Sequence, residues 1–147
     1  MVYRIAGLHR TRIDELRPFL TEARVVEDAE VASLVVEMGG GRDGLSVEAT
    51  ATGYYVHWWS RRLLPGIGDT RDRVYRNLRA WTGELAATEA YADLDRTGGD
   101  LTVGRRRLIP YPALARLAAN IIRGGLDDVV ALRESVERLI ATRLAGD

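Results

Sequence analysis

The chain has 147 residues, of which 46% are hydrophobic and 29% charged, a composition that excludes a disordered chain and predicts one compact domain over residues 1–147. Its 21 basic residues, all arginine, balance 21 acidic ones, so overall charge does not mark a dedicated nucleic-acid binder. The lack of lysine and cysteine excludes a lysine Schiff base, a lysine-built phosphate loop, disulfides and thiolate chemistry. No apolar run approaches the length of a bilayer span and the start lacks the apolar region of a secretory signal, which together predict no membrane insertion and a cytoplasmic location.

Taken in chain order, Val2 to Leu8 reads as a short strand ending at His9, a surface or capping residue. Thr11 is placed to cap a first helix with Ile13, Leu16, Phe19 and Leu20 as its apolar stripe, which Pro18 kinks or divides. Val31 to Met38 reads as a strand, and Gly39-Gly40-Gly41-Arg42-Asp43-Gly44 as the loop that returns the chain at Leu45. The glycine run lacks the Lys-Ser/Thr ending of a phosphate loop and is followed by a strand where that motif needs a helix.

From Leu45 the alternation predicts one half-buried strand reaching Val56 or Trp59, with Leu45, Val47, Ala49, Ala51, Tyr55, His57 and Trp59 on one face and Tyr54, Val56 and Trp58 on the other. The segment Tyr54-Tyr55-Val56-His57-Trp58-Trp59-Ser60-Arg61-Arg62 concentrates four of the ten aromatic residues and is the most informative stretch of the chain. Neither face can be wholly polar there, so one side faces the core and the other needs a helix, a subunit or a ligand to cover it.

Leu63 to Gly68 reads as a break, with Asp69 or Thr70 capping a helix from Arg71 that carries Val74, Leu78, Trp81 and Leu85 on one face and Arg73, Arg76 and Arg79 on another. A break near Thr82-Gly83 leads to a strand over Thr88–Asp95, a hairpin at Arg96-Thr97-Gly98-Gly99 and a returning strand over Leu101–Ile109. Pro112 opens a helix packed through Leu114, Leu117, Ala118 and Ile121 and ending at Gly124-Gly125. Asp127 caps a second one carrying Val129, Leu132, Val136, Leu139, Ile140 and Leu144, which packs on the core or forms a dimer seam. The fold class is therefore α+β, a predominantly antiparallel sheet with helices on one side and two C-terminal helices.

Function is less legible. A protein-binding module, regulatory, inhibitory, immunity or chaperone-like, is expected to use Tyr54, Tyr55, Trp58 and Trp59 for apolar contact and Arg61 and Arg62 to read an acidic rim, with a protein partner or self-association. The alternative is a nucleic-acid or phosphorylated-ligand binder using Arg61, Arg62, Arg73, Arg76 and Arg79, and a third is a small enzyme centred on His57. Asp69, Asp72, Asp93, Asp95 and Asp100 read as ion-pair or turn carboxylates, and no catalytic constellation, metal motif or cofactor motif is expected.

Overall fold

The computed structural model describes residues 10–27, 32–64 and 67–146. The expectations for Val2 to Leu8 and for His9 lie outside them. A first helix, α1, covers residues 10–16, so Thr11 sits inside it and is not its cap. Pro18 divides the segment as expected, because a 3-10 turn over Arg17–Phe19 takes over with proline in its first positions. Ile13, Leu16 and Leu20 are buried while Phe19 is exposed.

Six strands follow: β1 (Arg24–Glu27), β2 (Ala32–Met38), β3 (Asp43–Ala49), β4 (Gly53–Leu63), β5 (Ala90–Leu94) and β6 (Asp100–Pro110). They form one antiparallel sheet in the order β1-β2-β3-β4-β6-β5. The β2–β3 turn has Gly39, Gly40 and Gly41 at φ of 60°, 71° and 88°, backbone that side chains rarely adopt, which is why this turn uses a glycine run.

The single strand expected from Leu45 to Trp59 is two strands. Thr50 N donates to Gly53 O at 2.8 Å and its hydroxyl lies 3.2 Å from Gly53 N, closing a two-residue loop at Ala51-Thr52. A side chain at Gly53 would stand 2.3 Å from Ile109 O, so the strand has to start on glycine. This hairpin shifts the alternation by one residue. Tyr54, Val56 and Trp58 therefore share the core face with Leu45 and Val47, while Tyr55, His57 and Trp59 look the other way.

α2 (Arg71–Trp81) follows a 3-10 turn at Gly68–Thr70 and has no side-chain cap. The Thr70 hydroxyl instead donates back to Ile67 O. The chain breaks after Trp81 as expected, and a 3-10 segment over Gly83–Thr88 leads to β5.

The two C-terminal helices are one, α3 (Ala115–Ala145), running straight through Gly124-Gly125. A Cβ at Gly125 would meet the Trp58 ring at 2.4 Å, and Trp58 Nε1 donates to Ile122 O at 2.7 Å. The glycine lets the helix lie directly on the indole. It is a packing residue here, not a helix stop. The buried stripe is Ala118, Ala119, Ile122, Leu126, Val129, Arg133, Val136 and Ile140, with steps of three and four after the adjacent Ala118 and Ala119. Of the expected first packing face only Ala118 is buried; Leu114, Leu117 and Ile121 are exposed, and Asp127 is an exposed mid-helix residue.

The three α-helices of the described residues cover one face of the sheet. The first core joins Ile13, Leu16 and Leu20 to Leu34, Val47, Val56, Trp58 and the start of α3, and the second joins Val74 and Leu78 of α2 to Leu94, Leu101, Val103 and the end of α3. At their junction a partly buried polar chain, with Ser60 and Arg133 buried, ties sheet to helix. Arg62 grips Asp43 through two bonds of 2.8 and 2.9 Å, Ser60 donates to Asp43 at 2.6 Å, and Arg133 donates to Ser60 at 2.8 Å and pairs with Glu137. No described helix is long and apolar enough to cross a membrane.

Candidate functional site on the open face of the sheet

With the helices on one side, the opposite face carries Tyr55, His57, Trp59 and Arg61 from β4, Gly104, Arg106 and Leu108 from β6, and Tyr91 from β5. Two glycines shape it. A Cβ at Gly44 would lie 2.5 Å from the Trp59 ring, and one at Gly104 would lie 2.5 Å from the Tyr91 ring. Each ring therefore lies across bare backbone on a neighbouring strand, where any larger residue would push it off.

The rings are held in a row. Trp59 Nε1 donates to Gly41 O at 3.1 Å. The His57 ring is 5.5 Å from that of Trp59 and 5.8 Å from that of Tyr91. His57 Nε2 and the Tyr91 hydroxyl share a 2.7 Å hydrogen bond. The Arg106 guanidinium caps the row, 4.8 Å from the Tyr91 ring centre, and Arg61 donates to Thr102 at 3.2 Å beside it. Burial, and next the Arg106 charge, hold His57 below its ordinary value of 6.5, so the imidazole is neutral near pH 7. Burial likewise raises the Tyr91 hydroxyl.

The expected aromatic surface thus divides by strand parity. Tyr54 and Trp58 are only 1% and 2% exposed and belong to the core, where the Tyr54 hydroxyl donates to Arg12 O at 2.9 Å. They cannot touch a partner of the folded chain. Tyr55, 40% exposed, and the half-buried Trp59 stay on the accessible face, with Arg61. Arg62 turns to the helix side and is neutralised by Asp43.

The expected arginine set divides too. Arg61 and Arg62 line a cleft beside Gly40, Gly41 and Arg42, whereas Arg76 and Arg79 line a separate groove with Arg106. Arg73 reaches toward Arg143 O at the end of α3.

Tyr91 and Arg106 were not among the expected site residues, and His57 was expected there only as the centre of a small enzyme. The signal that could have found them is a glycine inside each of two strands, Gly44 and Gly104, since an interior strand glycine marks a close approach of something else. Chemically the face offers flat apolar rings, a neutral imidazole tied to a phenol, and two guanidiniums. Among the described residues no group of three His, Asp or Glu side chains is placed to hold a metal ion.

Comparison of the chain with family models, curated proteins and solved structures finds no match in any of the three.

Proposed function

We propose that this protein is a binding module that engages a protein partner through the open face of its sheet, with Tyr55, Trp59 and Tyr91 as contact rings and Arg61 and Arg106 as charged readers. The observation that carries this reading is the one-sided placement of the helices. No described element packs over a face that nevertheless bears Tyr55, Leu108, Trp59 and Tyr91. Rigid rings beside arginine bury area at low entropic cost and keep directional contacts, the composition of interface hot spots. A regulatory or chaperone-like role fits such a surface.

A second reading is favoured by the way the rings lie flat beside Arg61 and Arg106, since bases stack on such platforms next to cations. Against it stand the carboxylates of Glu48 and Asp93, which the strand register puts on the same face and which repel phosphate.

The test is affinity capture with the tagged protein from its source cells, with and without nuclease, beside a Tyr55→Ala/Arg61→Ala variant. A near-stoichiometric protein that survives nuclease and is lost with the variant supports the protein-binding reading. Recovery that depends on nucleic acid moves the second reading ahead, and equal recovery by the variant sinks both uses of this face.

A further inference from the structure

The buried stripe of α3, with Val129, Val136 and Ile140 in it, is spent on the sheet and the other helices, so a dimer seam built on those residues is core instead. A second stripe runs about a third of a turn round the same helix. Leu117, Ile121, Gly124 and Asp128 recur on it at steps of four, three and four, the spacing that lets one helix lie along another. Leu117 and Ile121 are 46% and 50% exposed, two large aliphatic side chains left half in water. A Cβ at Gly124 would meet nothing within 4 Å.

The charges beside this stripe point to its occupant. Arg116 stands at the N-terminal end of the stripe and Asp127 near its C-terminal end, both exposed. Among the described residues neither has an ion-pair partner. Their separation is three turns of helix to within a fraction of a residue, so they flank the stripe on the same side. A second α3 laid antiparallel, related by a two-fold axis level with Ile121 and Ile122, sets Arg116 of each copy beside Asp127 of the other. Parallel pairing would set like charge against like. In the antiparallel register Ile121 meets its own counterpart. Leu117 comes level with the space between Gly124 and Asp128 of the other copy, which the missing side chain at Gly124 leaves open.

We infer that the exposed stripe of α3 is a homodimer seam, in which two copies of the chain pack α3 antiparallel about a two-fold at Ile121 and make the Arg116–Asp127 pair twice. A single helix pair covers less than a standard-size interface, so the dimer is weak and reversible, with a dissociation constant of about 10–100 µM. This inference does not rest on the open-face reading, because α3 lies on the other side of the sheet. A dimer joined through its helix layers keeps both open faces free.

Sedimentation velocity of the full chain from about 1 µM to about 500 µM is expected to show a shift from monomer to dimer as concentration rises. Arg116→Asp turns both pairs into repulsions and is expected to weaken the dimer at least about tenfold, while Arg116→Asp/Asp127→Arg restores it to within about threefold. Both positions are exposed, so the fold tolerates either variant. Because the chain has no cysteine, an introduced one reports its own surroundings. Oxidised Ile121→Cys is expected to form a disulfide-linked dimer, whereas Ser135→Cys, on the same stripe but about 40 Å from its counterpart in this register, is not. Tyr55→Ala/Arg61→Ala is expected to dimerise as the parent does, which separates this seam from the open face. A monomer at every concentration, a charge reversal without effect, a double reversal no better than the single one, loss of the dimer in Tyr55→Ala/Arg61→Ala, or linkage through Ser135→Cys in place of Ile121→Cys would each overturn the inference.

Discussion

At Gly124 and Gly125 adjacent residues of one helix have opposite requirements. A Cβ at Gly124 meets nothing within 4 Å, whereas one at Gly125 stands 2.4 to 2.7 Å from the Trp58 indole. Gly124→Ala is expected to raise stability by about 0.5–1 kcal/mol through backbone entropy and helix propensity, and Gly125→Ala to lower it by about 1–3 kcal/mol through overpacking. Denaturant titration of the two variants checks both signs. On the open face Gly104→Ala puts a methyl group 2.5 Å from the end of the Tyr91 ring, which can swing outward because Tyr91 is only half-buried. The variant is expected to lose the His57–Tyr91 bond and to bind an open-face partner more weakly, with a small change in unfolding midpoint. A wild-type affinity would mean that Tyr91 is not part of the contact.

Between elements, the sheet and α3 are joined by hydrophobic packing at either end and by the Arg62–Asp43–Ser60–Arg133 chain between. The Arg133 side chain is only 8% exposed, so Arg133→Ala removes packing along its stem and two hydrogen bonds together. A loss of about 2–4 kcal/mol is expected by denaturant titration, and near-neutral stability would show that water replaces the guanidinium freely. This chain was hard to read from sequence because its members lie far apart along the chain. Arg133 also falls on the apolar stripe of a helix, where only a partner on β4 explains it. The hairpin at Thr50–Gly53 was hard for a different reason. Thr and Ala alternate through it as they would in a strand, and only the clash of a side chain at Gly53 with Ile109 O identifies the turn.

For the molecule as a whole, acid stability follows from three groups. At Asp43, burial raises the carboxyl, but the hydrogen bonds from Arg62 and Ser60 with the nearby arginine charges outweigh it and hold it below its ordinary 3.8. The Arg123 hydrogen bond holds Glu22 below 4.5, more than offsetting its burial. Both carboxyls bind fewer protons folded than unfolded, so their contribution is complete above the ordinary values and is lost as pH falls through the lowered ones. His57 acts in the same direction from 6.5 downward, since a folded state that keeps it neutral binds fewer protons than the unfolded chain. Unfolding free energy is therefore expected to fall from neutral pH toward pH 3, and Asp43→Asn to flatten the lower part of that slope. A profile unchanged by Asp43→Asn would show that the carboxylate gains nothing from its partners.

Composition, hydrophobic periodicity and turn chemistry were enough to establish an α+β chain with an antiparallel sheet, a central helix ending near Thr82 and a β5–β6 hairpin, because those are local properties of spacing and backbone preference. They drew attention to Tyr54, Tyr55, Trp58, Trp59, Arg61 and Arg62 together, without separating the buried from the exposed. Which rings are core and which are surface was settled only by tertiary contacts. A two-residue loop sets the parity of β4, the Trp58 indole packs on Gly125 within a pair of glycines that locally reads as a stop, and among the described residues the layering of the helices on one side leaves the other face uncovered. Each of these depends on residues distant in sequence meeting in space, and side-chain spacing along the chain carries no record of such meetings.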